Sequence, residues 1–347
     1  MKTLKSDGSS PPNEETDEKQ AISESSEKSD LLNCPSFFNP VSKPTIFEYK
    51  FLKHIGHGSQ SDVFLVVNME TEEYFAAKVF DKDSLFKNSI GTQELPLQRV
   101  LREAEIMAQL EHPNCMPLVE ILEDDLTNSI LFIMPYADQG ALSKYAHKTE
   151  PMDEADAKYV FFQVALGLQN CHSWNIIHRD LKPDNILRFS DGRVVVADFS
   201  ASTILEDENT LLEDTSGTPA FYSPEECMGE PYFGKPADVW AFGMTLYVMI
   251  YGRFPFFDFE NENMFYFKFF EYSQQIISNE IQYPESIPIS DELRDFFSHV
   301  LNKDPSKRYT MEQVLQHNWF KEYNENISFD YDYGKEEEQQ INDVQES

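Results

Sequence analysis

His178-Arg179-Asp180-Leu181-Lys182-Pro183-Asp184-Asn185, HRDLKPDN in one-letter form, is the stretch on which the reading of this chain turns. Asp180 can accept a proton, Lys182 can neutralise a phosphate and Asn185 can hold a metal ion. Pro183 stiffens the backbone between them. By itself the stretch also reads as a charged surface loop, because short motifs match by chance. Thirteen residues beyond Asn185 comes Asp198-Phe199, closing the apolar run Val194-Val195-Val196-Ala197.

The two segments together resemble the catalytic loop and metal-binding segment of protein kinases. The resemblance implies an α+β, two-lobed protein kinase fold: a small β-rich N-lobe, a larger, mainly helical C-lobe, and an ATP cleft between. It implies transfer of the γ-phosphoryl group of ATP to protein Ser or Thr hydroxyls, with Mg²⁺ as cofactor. Asp180 would orient the target hydroxyl and accept its proton, and Lys182 would stabilise the transferring group. Asn185 and Asp198 would hold Mg²⁺, a hard cation suited to oxygen ligands. A lysine two positions after Asp180 is the serine/threonine form of the loop. One position departs: the family carries Asp-Phe-Gly, and here Ser200 replaces the glycine. Glycine permits backbone conformations that serine resists, yet Asp198 is intact, so catalysis is expected to survive. The alternative is a pseudokinase scaffold that binds nucleotide and protein partners without catalysis.

Upstream, Ile55-Gly56-His57-Gly58-Ser59-Gln60-Ser61 precedes the apolar run Val63-Phe64-Leu65-Val66-Val67, predicting strand, glycine turn, strand. Such turns aim backbone N–H groups at phosphates. Ser61 stands where the family has a third glycine. Ala76 and Lys78 share a strand face; by the resemblance Lys78 binds the α- and β-phosphates, while Ala76 and Val63 pack on adenine. Val100, Glu103, Met107 and Leu110 recur at helical spacing from a start near Pro96. Glu103 thus falls on the inward stripe, where a carboxylate needs a partner, and Lys78 is the expected one. The strand Leu131–Met134 leads into Pro135-Tyr136-Ala137-Asp138-Gln139-Gly140, which resembles the hinge. There Met134 flanks adenine, and the carbonyl of Pro135 and N–H of Ala137 bond it; Leu187 completes the implied nucleotide site. A helix is expected from Asp153, its N-cap, to Cys171. A hairpin around Ser190-Asp191-Gly192 is expected to bring Asn185 and Asp198 together.

Downstream, Ser223-Pro224-Glu225 resembles the family's Ala-Pro-Glu, with Arg308 as the buried partner of Glu225. Asp238 would bond the backbone of the catalytic loop. Gly217-Thr218-Pro219-Ala220-Phe221-Tyr222-Ser223-Pro224-Glu225 and the run Gly234–Tyr247 resemble the calcium/calmodulin-dependent protein kinase kinases of the CAMK group. That implies protein substrates, among them the activation-loop threonines of other kinases such as AMP-activated-type kinases. Three residues before Gly217, where many kinases carry a phosphothreonine, stands Asp214, with Arg179 as the expected partner. A carboxylate there would partly replace phosphate; a solvated acidic loop is the other reading. Thr215 and Thr218 are open as phosphosites, though Thr218 is expected to contact Asp180 and Lys182. Ala141, where basophilic kinases carry Glu, gives no support for a strong arginine requirement.

The chain has 347 residues and a formal net charge of −33, with −3 on residues 1–44 and −7 on 321–347. The remaining −23 on 45–320 argues against nucleic acid and anionic membranes. Cys34, Cys115, Cys171 and Cys227 form no CxxC pair and read as reduced thiols of an intracellular protein, cytoplasmic, with the nucleus left open. Residues 1–44 and 321–347 read as acidic, disordered segments. The kinase domain is expected over 45–320, with N-lobe 45–134, hinge 135–140 and C-lobe 141–320. The tail holds only Lys321 and Lys335 as basic residues, so a basic amphipathic calmodulin target is not expected there. Oligomeric state is not legible.

Overall fold

The computed structural model describes residues 45–58, 60–86, 95–146, 151–256 and 269–324. Ser59 and the terminal segments 1–44 and 325–347, with Cys34 and the tail's Lys335, lie outside the described residues. The chain divides into two compact units, one built from residues up to Ala108 and Pro117–Ala137, the other from Gln109–Met116 and Asp138 onward.

The first unit is a six-stranded antiparallel sheet in the order β1-β2-β3-β4-β6-β5. Its strands are β1 (Thr45–Ile46), β2 (Tyr49–His57), β3 (Ser61–Asn68), β4 (Tyr74–Asp81), β5 (Glu120–Asp124) and β6 (Ser129–Pro135). Alternation along β3 buries Phe64 and Val66 on one face, where Tyr49, Phe51, Ala77, Val79, Leu131 and Ile133 join them in one core. β2 and β3 are joined by the glycine turn, closed by Gly58 N–H donating to the Ser61 carbonyl at 2.7 Å. A short helix α1 (Lys82–Leu85) follows β4, and helix α2 (Pro96–Gln109) starts on Pro96. Val100, Glu103, Ile106 and Met107 form its buried stripe.

In the second unit, β7 (Gly140–Ala141), β9 (Ile186–Arg188) and β10 (Val194–Val196) make a small sheet; β8 (Ile176–Ile177) pairs with β11 (Thr203–Ile204). Helix α3 (Glu154–Ser173) is capped by the Asp153 carboxylate accepting from Asp156 N–H. Its buried row includes Val160, Val164, Leu168 and Cys171. Downstream lie β12 (Leu211–Leu212), α4 (Pro224–Met228), β13 (Tyr232–Phe233), α5 (Gly234–Tyr251), α6 (Phe269–Ser278), α7 (Asp291–Val300) and α8 (Met311–Gln316). α5 is apolar nearly all round and correspondingly buried. Among the described residues, no helix is long and apolar enough to cross a membrane.

The units do not follow the linear N-lobe division in one place. Residues 109–116 belong to the second unit because the backbone there bonds β10: Met116 N–H donates to Val196 O, and Val196 N–H to Asn114 O, both at 2.8 Å. Cys115, Cys171 and Cys227 are free thiols.

Candidate active site

The first unit assembles the residues expected around the nucleotide as sheet neighbours. Val63 lies opposite Lys78 across β3 and β4, Ala76 opposite Met134 across β4 and β6, and Gly56 opposite Val63 across β2 and β3. Ile55 and His57 sit near the end of β2, Pro135 ends β6, and Ala137 is buried two residues beyond. Lys78 and Glu103 are 8% and 3% exposed, and the Lys78 amine donates to Glu103 Oε1 at 2.6 Å. This ion pair offsets part of the cost of burying the two groups.

In the second unit the catalytic loop is held by an inventory of backbone and side-chain bonds. The buried Asp238 carboxylate, on α5, accepts the N–H groups of His178 and Arg179, each at 2.8 Å. It also meets His172 Nε2 at 2.9 Å. Those bonds hold Arg179 at φ 65°, a left-handed conformation that a side chain resists. His178 is fully buried. Its Nδ1 accepts the Asp180 N–H at 3.2 Å, so its Nε2 carries the proton and donates to the Ala197 carbonyl at 3.0 Å. One imidazole thus ties the backbone of Asp180 to the strand end that precedes Asp198.

Asp180 Oδ2 accepts from Lys182 Nζ at 2.8 Å and from Asn185 Nδ2 at 3.1 Å. Asn185 Nδ2 also donates to the Asp180 carbonyl at 2.8 Å. Asp180 Oδ1 is buried and has no hydrogen-bond partner among the described residues. As a carboxylate oxygen it keeps acceptor capacity for a further proton donor. Lys182 Nζ also donates to Thr218 Oγ1 at 2.6 Å, which fixes the Gly217-Thr218 segment against the loop; the expected contact of Thr218 with Asp180 runs through this lysine. Gly217 is required there: φ is +94°, and a Cβ would lie 2.2 Å from the Arg179 carbonyl oxygen.

The hairpin of β9 and β10 joins Asn185 and Asp198, the two expected oxygen ligands. Val196 pairs with Ile186, and Ala197 N–H donates to Asn185 O at 2.9 Å. Leu187 sits on β9, opposite both Val195 and Ala141. Asn185 directs its amide N–H groups at Asp180, leaving its amide oxygen for a cation; Asp198, at φ 61°, supplies a carboxylate. The donor set therefore fits Mg²⁺. Ser200 is exposed and is not among the residues with positive φ, so serine is unstrained where the family has glycine.

Arg179 Nη2 reaches Asp214 twice, its carboxylate at 2.9 Å and its carbonyl at 2.8 Å, and Tyr232 O–H donates to the same carbonyl at 3.1 Å. The Asp214 side chain is 72% exposed, whereas that of Arg179 is buried. Arg308 forms a two-pronged pair with Glu225 at 2.6 and 3.0 Å.

Sequence reasoning assigned no role to His172, His178, Tyr232 or Glu226. Glu226 had a visible signal, Ser223-x-x-Glu226, which is a capping box at the start of α4. Burial pushes its carboxyl up to about 7, although the Ser223 N–H and O–H both donate to it at 2.8 Å.

Residues 49–320 match the protein kinase domain family. The chain belongs to that family. It is 35% identical over 279 residues to the serine/threonine-protein kinase GRIK1 of Arabidopsis thaliana, covering 79% of this chain and 67% of that protein. It is 33% identical over 291 residues to a Caenorhabditis elegans calcium/calmodulin-dependent protein kinase kinase, covering 78% of this chain and 52% of the relative. The serine/threonine-protein kinase ssp1 of Schizosaccharomyces pombe is 32% identical over 288 residues, 79% of this chain and 42% of its own length.

Proposed function

We propose that this kinase transfers the γ-phosphoryl group of ATP to Ser or Thr hydroxyls of other protein kinases, in the manner of the CAMK-group kinase kinases. The observation that carries the chemistry is the Asp180 carboxylate, with Oδ2 held by Lys182 and Asn185 and Oδ1 without a hydrogen-bond partner among the described residues. Asp180 orients the substrate hydroxyl and takes its proton. Lys182 stabilises the charge on the transferring group. ATP with Mg²⁺ supplies the phosphoryl group and neutralises its charge, and Asn185 and Asp198 are the ligands that would hold the ion. Lys78, held by its ion pair with Glu103, is the cation for the α- and β-phosphates.

Support for a kinase substrate comes from the Gly217–Glu225 and Gly234–Tyr247 resemblances and from the 33% identity to the worm calcium/calmodulin-dependent protein kinase kinase. Basic protein partners suit the −33 net charge, which disfavours nucleic acid and anionic membranes. Localisation to the cytoplasm and independence of calmodulin remain part of this proposal; tight calcium-dependent calmodulin binding by the full chain would contradict the latter. The substrate class is tested by mapping the phosphorylated residue on a kinase-dead AMP-activated-type kinase. Phosphate on its activation-loop threonine supports the reading, and phosphate only on generic basic proteins removes the kinase-kinase assignment.

A further inference from the structure

Three chemically suited side chains meet at the base of the glycine turn, and the proposed catalysis uses none of them as ligands. His54 and His57 are three residues apart on β2, so a regular strand would point them to opposite faces. The pairing of β2 with β3 slips between them: His54 lies opposite Phe64, but Gly56 lies opposite Val63 and His57 opposite Asp62. The extra residue on β2 is a β-bulge, and it returns both imidazoles to one side, with Asp62. His54 Nε2 stands 3.0 Å and His57 Nδ1 2.8 Å from the same oxygen, Asp62 Oδ1. All three ligand atoms lie within 4.8 Å of one another.

Asp62 is only 1% exposed, on the strand face that buries Phe64 and Val66. A carboxylate in that row needs strong compensation. Two imidazole N–H groups on Oδ1 supply part of it, yet Oδ2 is buried with no hydrogen-bond partner among the described residues. His57 is 65% exposed, which leaves an entry path from solvent. The ring of His54 is fixed edge-on against Phe64 at 5.1 Å, so its nitrogen is already aimed.

We propose that His54, His57 and Asp62 bind one divalent transition-metal ion, with zinc as the best match. Two imidazole nitrogens and a carboxylate are a common zinc set, with a water or the second carboxylate oxygen as fourth ligand. With zinc–ligand bonds of about 2.0–2.1 Å, ligand atoms in a tetrahedral site sit about 3.3 Å apart. The two histidine–carboxylate spacings, 3.0 and 2.8 Å, need to open by only a few tenths of an ångström. On binding, the proton on each facing nitrogen moves to the other ring nitrogen or is released to solvent.

A second cluster, Asp295, His299 and His317, has the same residue types but is otherwise accounted for. His317 Nδ1 accepts the Trp319 N–H at 3.1 Å, His299 stacks on Tyr309 at 4.1 Å, and Asp295 is largely exposed. It serves as the control. An ion joining β2 to β3 would fix the start of the glycine turn; any consequence for nucleotide rests on the kinase reading above, whereas the site does not.

The test uses the full chain, stripped with chelator and titrated with zinc alone against a chromophoric competitor, without nucleotide. Wild type is expected to take up one tight equivalent. His57→Gln, at an exposed side chain where glutamine keeps an N–H donor for Asp62, is expected to weaken it about tenfold or more, and His54→Gln/His57→Gln to abolish it. His299→Gln is expected to keep it. No tight equivalent in wild type, its retention in the double variant, or its loss in His299→Gln overturns the proposal.

Discussion

Asn185 holds Asp180 at two points, the backbone carbonyl at 2.8 Å and side-chain Oδ2 at 3.1 Å, with a single amide nitrogen. The carboxylate is thereby fixed in rotation, and Oδ1 has no hydrogen-bond partner among the described residues. Removal of its basicity should be selective. Asp180→Asn is expected to lower kcat about 10²–10⁴-fold while ATP affinity, measured by direct binding, stays near wild type. Equal loss of binding and turnover would show that Asp180 acts by holding the fold.

Arg179 meets Asp214 through both its carboxylate and its carbonyl, so Asp214→Asn removes the charge and keeps the backbone bond. With the Asp214 carboxylate largely in solvent, the pair contributes about 1 kcal/mol, so basal rate should fall by no more than about fivefold. Steady-state kinetics on unphosphorylated protein checks this, and an unchanged rate would reject Asp214 as a partial substitute for phosphate.

Glu226 makes stability depend on pH in an uncommon direction. Its folded-state carboxyl sits at about 7, against an ordinary 4.5, so between these values the folded chain holds the proton more tightly than the unfolded chain. Its contribution is full below the lower value and is lost as pH rises through the higher one, by ~3 kcal/mol at most. Glu226→Gln should flatten that slope. Urea denaturation of both proteins at about pH 5 and about pH 8 measures the difference; identical slopes would refute it.

Arg308→Met leaves the buried Glu225 carboxylate without its two-pronged partner and is expected to cost ~3–5 kcal/mol. The double variant Glu225→Leu/Arg308→Met should recover part of that loss, since no unpaired charge remains. Ser200→Gly, by contrast, relieves no strain and should change turnover by no more than about twofold.

The sequence exposed those features that are set by period or by local pattern. Glu103 was legible as Lys78's partner because helical spacing put a carboxylate on an apolar stripe. The hairpin joining Asn185 to Asp198 was legible from Ser190-Asp191-Gly192. Arg308 and Asp238 were found through resemblance, since nothing local links Arg308 to Glu225 across so many residues. The β2 bulge was not legible: an inserted residue leaves composition unchanged and appears only when two strands are paired. The tautomer of His178 was equally hidden, because it depends on Ala197 and Asp180 lying on opposite sides of one ring. The capping box of Ser223 and Glu226 was present in the sequence, overshadowed by the motif that overlaps it.

The central claim is most directly tested by transfer of labelled γ-phosphate from ATP with Mg²⁺ to a protein substrate, comparing the full chain with Asp180→Asn. Transfer to Ser or Thr by wild type, lost in the variant while both bind ATP, is the result this account predicts. ATP binding by both without transfer by either would contradict it and make the chain a nucleotide-binding scaffold.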